Sequence, residues 1–97
     1  LEVVDWAFCH QVGCPYGDQD LYAGYGIAIA FQLNQATSQA VSVEVWFDGE
    51  YEYTSNFSPS ANGAYFDVLP FANHSGELEL DIYAGGVFVD SLWADVN

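Results

Sequence analysis

Three groups of side chains in this sequence have the types and spacing to do chemistry. Cys9 and Cys14 are the only cysteines, spaced C-x4-C, with His10 between them. A redox pair normally reads C-x-x-C, and zinc needs ligands beyond His10, so the spacing points to a local disulfide in an oxidising space. Such a bridge closes a short loop and stabilises by about 2 kcal/mol in the chain-entropy picture. Asp18 and Asp20 in a Gly-flanked loop, and Asp48 and Glu50 around a turn, offer the hard oxygen ligands that calcium takes. Neither pair has the EF-hand spacing, and Asp18/Asp20 is the better metal candidate. Glu77, Glu79 and Asp81 recur at i, i+2, which on a strand sets them about 7 Å apart along one face. That row reads as a solvated acidic face.

Catalysis finds little to work with. His10 and His74 stand in loop sequence without a nucleophile motif, and Ser75 beside His74 faces another way in extended chain. The 14 carboxylates supply so many glycosidase-type pairs that no pair is singled out. No catalytic residue is assigned, and the chain reads as a non-enzyme.

The charge balance excludes whole classes of partner. The 97 residues contain no Lys or Arg, 14 acidic residues and two histidines, a formal charge of −14. Nucleic-acid binding has no side chain to neutralise phosphates, and anionic membranes and P-loop chemistry are excluded with it. Each carboxylate must find water, a backbone N–H, a metal ion or a proton. Disorder is excluded too, because the chain is 52% hydrophobic and 18% aromatic. One domain of this size does not easily hide 3 Trp, 7 Tyr and 7 Phe, so part of the apolar surface is expected to meet a partner.

The compartment follows from small signals taken together. Asn56-Phe57-Ser58 and Asn73-His74-Ser75 match the N-glycosylation acceptor pattern. The chain starts at Leu1, lacks Met, and has no signal-peptide pattern, so it reads as a mature or excised segment. No run of 18 apolar residues exists, which argues against membrane insertion. Together with the cysteine pair, these features predict an extracellular, secreted or cell-surface protein.

Period-2 alternation dominates the elements that must position these residues. Leu1–Phe8 places Val4, Trp6 and Phe8 on one face. Leu21–Asn34 has large odd positions (Tyr25, Ile27, Ile29, Phe31, Leu33) and small even ones (Gly24, Gly26, Ala28, Ala30). That small-residue face either lets another backbone come close or is thin surface near neighbouring chains. Ala40–Phe47 sets Val41, Val43, Val45 and Phe47 against Ser42, Glu44 and Trp46. Asp48-Gly49 is a hairpin turn, and Glu50–Thr54 returns with Tyr51 and Tyr53 on one face. Ala64–Leu69 is expected to turn Phe66 and Val68 inward. Glu77–Tyr83 buries Leu78, Leu80 and Ile82, Gly85-Gly86 turns, and Val87–Val96 ends the pattern. Seven strands at roughly ten-residue intervals predict a single all-β domain over 1–97, an antiparallel β-sandwich.

The order of these segments resembles immunoglobulin-like modules of secreted and bacterial surface proteins. The nearest pattern is the cell-adhesion-related domain found in bacteria. Ser42–Gly49, with its Val-x-Val-x-Phe-Asp-Gly hairpin, is similar to that family's third strand and turn, and Gly76–Ile82 to its penultimate strand. The antibody-type Cys…Trp…Cys spacing is absent, and the Cys9/Cys14 loop is no hallmark of the family. An acidic, Asn-rich tail of the family's kind is reduced to Ala94-Asp95-Val96-Asn97. The resemblance implies an immunoglobulin-like fold and a non-catalytic role in adhesins, stalks or filaments.

The expected function is therefore a structural subunit of an extracellular filament, pilus-like fibre or stalk. Its partners are copies of itself or neighbouring domains of a surface protein. Neither terminal strand contains Pro, and the chain has no Lys to blunt its edges, so Val3, Val4, Trp6 and Phe8 form the candidate assembly strand. The alternative is an adhesive module, dependent on carbohydrate or calcium. There Trp46, Tyr51 and Tyr53 would be the sugar platform, or Asp18 and Asp20 the metal ligands. No cofactor is required, with calcium the one candidate.

Overall fold

A computed structural model describes residues 1–10, 18–69 and 73–97. Among them are seven antiparallel strands and no helix: β1 (Val3–Cys9), β2 (Ile27–Leu33), β3 (Val41–Phe47), β4 (Glu50–Phe57), β5 (Ala64–Leu69), β6 (Gly76–Ala84) and β7 (Val87–Val96). They form a three-stranded sheet, β1-β2-β5, and a four-stranded sheet, β4-β3-β6-β7. The expected alternation builds the core between them. Ile27, Ile29, Phe31 and Leu33 of β2 meet Val41, Val43 and Val45 of β3 and Leu78, Leu80 and Ile82 of β6 in one buried cluster. No buried residue is polar or charged among those described, so burial here carries no desolvation penalty for a side-chain charge.

The two predicted tight turns form as read. Asp48 and Gly49 (φ 50° and 80°) join β3 to β4, and Gly85 and Gly86 (φ 58° and 81°) join β6 to β7. Positive φ at both central residues is the twist that a two-residue hairpin requires.

Four sequence expectations are corrected, and bulges account for two of them. In β1, Val3 pairs with Leu33 and Asp5 with Gln32, so Val4 is an extra residue at a bulge. Val3 takes the core position and Val4 is exposed. In β4, Val45 pairs with Tyr53 and Trp46 with Tyr51, so the extra residue is Glu52. Tyr53 therefore faces the core, while Tyr51 is turned to the outside. A third bulge, at Val89, lies between the Ile82/Asp90 and Tyr83/Phe88 pairs of β6 and β7.

The other two corrections concern β5 and the approach to β2. In β5, Tyr65 and Leu69 are the buried residues, and Phe66 and Val68 are exposed. Phe66 and Val68 pair with Ala30 and Ala28, on the small-residue face that points away from the core. The long predicted strand Leu21–Asn34 also shortens. Tyr22–Tyr25 makes a turn, leaving Tyr25 exposed, and Leu21 instead bridges to Val96 in parallel.

The segment Asp18–Ala23 ties the two sheets together at one side. Asp18 Oδ1 accepts a 2.7 Å bond from Phe8 N, and Gln19 N donates to Phe8 O at 2.8 Å. A few residues on, Asn97 N donates to Leu21 O and Ala23 N to Asn97 O, both at 2.8 Å. The first pair of bonds holds the edge of β1, the second the end of β7.

Gly76, the first residue of β6, is packed tightly. A Cβ there would lie 2.5–2.7 Å from both Asp48 carboxylate oxygens and from Phe47 Cζ. Asp48 cannot swing aside freely, because its Oδ1 accepts from Glu77 N at 2.8 Å and its N donates to Glu77 O at 2.9 Å. Gly76→Ala is expected to destabilise by about 1–3 kcal/mol, the usual cost of overpacking, read as a lower urea midpoint with an unchanged slope. An unaltered midpoint would show that the Asp48 turn yields at no cost.

Candidate functional site

Two adjoining surfaces gather the side chains that could recognise a ligand. One is the outer face of the four-stranded sheet. Directly paired residues share a face, so the ladder aligns Trp46 of β3, Glu79 of β6 and Trp93 of β7 in one row, with Tyr51 of β4 beside Trp46. Tyr51 packs edge-on against Trp46, with ring centroids 5.5 Å apart at 72°. The Trp46 indole N–H is buried without a hydrogen-bond partner among the described residues. The next row is Thr54, Glu44, Asp81 and Ser91, where Ser91 Oγ donates to Asp81 Oδ1 at 2.7 Å. Tyr83 OH donates to Glu44 Oε1 at 3.2 Å, and burial together with that bond pushes the phenol up.

Of the expected sugar platform, the structure brings Trp46 and Tyr51 together and leaves Tyr53 out. Tyr53 points into the sandwich, where burial, with the charge of Asp67 adding, pushes its phenol up to about 12. The residue that sequence reading missed is Trp93, half exposed beside Glu79. Its signal was its odd place in Ser91–Asp95, out of phase with Leu92 and Ala94.

The second surface is a groove of about 660 Å³ beside the end of β7, with Asp18–Leu21 as one wall and Trp93–Asp95 and Asn97 as the other. Asp18 and Asp20, the expected metal pair, both lie on it. Asp18 Oδ1 is already held by Phe8 N. No group of three His, Cys, Asp or Glu side chains among the described residues is placed to hold a metal ion.

The remaining sequence candidates are dispersed. Cys9 is fully buried, its Sγ 3.8 Å from Ala28 O, and its expected partner Cys14 lies outside the described residues. Asn56 is in β4 rather than in a loop, and Asn73 is in the connection before β6; both are exposed. His74 packs at a tilt of 58° against Phe47, ring centroids 5.0 Å apart, with Nδ1 3.9 Å from Asp48 Oδ2, while His10 follows β1. Asp48 thus serves the turn and His74 together. Among the described residues no helix is long and apolar enough to cross a membrane.

The crowding of carboxylates on β6 has a measurable consequence. Sharing a proton with the Asp81 carboxylate raises Glu79 from 4.5 to about 7, and desolvation and the charges of Asp81 and Glu77 push the same way. Between those values folded Glu79 holds a proton that the unfolded chain has released. The folded state then binds more protons, so stability falls as pH rises across that window. We expect Glu79→Gln to narrow the difference in melting temperature between pH 5.5 and pH 8 by a few degrees, chiefly by raising the value at pH 8. An unchanged difference would place the pH dependence on other groups. Compared with known proteins, the chain matches no family profile and no curated sequence.

Proposed function

We propose that the chain is a non-enzymatic structural subunit of an extracellular filament, pilus-like fibre or stalk, built on an immunoglobulin-like sandwich. The strand order, with β1-β2-β5 in one sheet and β4-β3-β6-β7 in the other, supports the immunoglobulin-like part of the reading. The observation that carries assembly is the apolar surface at the two edges of the three-stranded sheet. Val4 and Trp6 of β1 are 54% and 45% exposed, and Phe66 and Val68 of β5 are 39% and 52% exposed. The two edges differ, so a contact between them is head-to-tail and does not close on itself.

Side chains, rather than a shared ladder, carry this contact. β1, the expected donor strand, pairs with β2 of its own sheet, and Val3 and Phe8 fill its own core. Copies of a chain with charge −14 and no Lys or Arg have no such ion pairs to exchange. Apolar burial must therefore outweigh mutual repulsion. A Cys9–Cys14 bridge and glycans on Asn56 and Asn73 belong to the same extracellular reading. A glycan on Asn56 would also shield β4, an edge strand of the four-stranded sheet.

The test is negative-stain electron microscopy with light scattering across a concentration series, at low salt and at about 1 M salt, where charge repulsion is screened within about 3 Å. Filaments that strengthen at high salt or mildly acid pH are expected. Val68→Ala with Phe66→Ala should raise the critical concentration roughly 100-fold, since two large side chains lose about 3 kcal/mol of burial. Monomers under every condition, or filaments that dissolve at 1 M salt, would overturn the proposal.

A further inference from the structure

The groove beside the end of β7 has a wall chemistry that neither the core nor the assembly contact uses. Its polar lining is Asp18, Gln19, Asp20, Asp95 and Asn97, and its one large aromatic rim is Trp93, 53% exposed. We propose that this groove binds a neutral saccharide, with Trp93 as the stacking surface and Asp20, Asp95, Gln19 and Asn97 as the hydrogen-bonding walls.

The class of ligand follows from what the walls lack. Carboxylate acceptors outnumber donors, so a complementary ligand brings hydroxyl hydrogens. An apolar ligand would strip water from carboxylates and return no hydrogen bond, which is costly. An anionic ligand meets a chain of charge −14 with no Lys or Arg to receive it. A metal bridge is not provided for, because no three ligating side chains converge among the described residues. A sugar ring offers both halves of the match, hydroxyls for the walls and an apolar C–H face for the indole.

The site is also held open in advance. Gln19 N donates to Phe8 O, and Gln19 Oε1 accepts from His10 N at 3.3 Å, which leaves the amide NH2 of Gln19 for a ligand. On the opposite wall, Asn97 is tied by both its N and its O to Leu21 and Ala23. Trp93 lies between Leu92, in the core, and Ala94, packed against it, so the backbone beneath the indole is fixed. Backbone that needs no ordering on binding lowers the cost of association. The volume, about 660 Å³, lies in the roughly 300–1,000 Å³ range of ligand sites.

The test is affinity electrophoresis of the full chain in native gels containing dextran, mannan or galactan, with alginate and dextran sulfate as anionic counterparts. At least one neutral polymer is expected to retard the protein, and neither anionic polymer should. Trp93→Ala is expected to weaken that retardation tenfold or more, Trp93→Phe to restore part of it, and Asp95→Asn to weaken it less. Phe88→Ala, which removes an exposed aromatic outside the groove, should leave it unaltered, and so should EDTA. Circular dichroism melts of each variant separate lost binding from lost folding. Retardation by no neutral polymer, retardation that survives Trp93→Ala in a folded protein, or retardation lost in Phe88→Ala or in EDTA would overturn the proposal.

Discussion

Fourteen carboxylates must be accommodated without a single Lys or Arg, and the rest of the structure bends to that constraint. Four of them take a backbone N–H. Asp18 takes Phe8 N, Asp48 takes Glu77 N, Asp67 takes Val68 N and Asp90 takes Ser91 N, all between 2.7 and 2.9 Å. A carboxylate bonded to an amide is a charge-assisted hydrogen bond, shorter and stronger than a neutral one. It asks for no counter-charge. Where carboxylates crowd instead, on β6, the neighbouring Asp81 and Glu77 push Glu79 upward, toward the protonated form that removes a charge.

These bonds also decide how the sheets end. An antiparallel ladder points alternate amides outward, and in β5 and β7 the outward amides include Val68 N and Ser91 N. Each is occupied by the aspartate just before it. Asn62 does likewise for Ala64 N. On β1, Asp18 and Gln19 occupy Phe8, and bulges interrupt β1, β4 and β7. Natural sheets commonly discourage edge pairing with Lys or Pro. This chain reaches the same end with Asp, Asn and bulges, which is why the absence of Lys does not leave its edges bare.

Much of this architecture was readable from alternation, and the failures share one cause. Ala64–Leu69 and Val87–Val96 have the bounds that were expected, and both hairpin turns stand where Asp48-Gly49 and Gly85-Gly86 placed them. A period-2 pattern fixes that a strand exists, but the facing of each residue depends on register, and one extra residue reverses it. Val4 and Glu52 are such residues, so Val4 and Tyr53 fall on the side opposite to the one alternation alone assigns. In β5 both faces carry large apolar residues, Tyr65 and Leu69 on one with Asp67 between them, Phe66 and Val68 on the other, so the sequence offers two inward faces. Pairing with Ile27, Ile29 and Phe31 of β2 selects the first.

The groove was only half legible for a related reason. Asp18 and Asp20 were visible as a pair of oxygen donors, but what stands opposite them comes from the far end of the chain. Leu21 meets Val96 in a parallel bridge, and that single contact carries Trp93 and Asp95 to the segment holding Asp18 and Asp20. No local pattern announces a parallel bridge between residues so far apart. The bridge exists because Tyr22–Tyr25 turns before β2 begins, which frees Leu21 to bury its side chain under the end of β7. Burying one leucine there closes the side of the sandwich and sets two acidic walls and an indole around one space. The apolar demand of Leu21 thus creates a polar surface whose composition the charge balance had already restricted to acceptors.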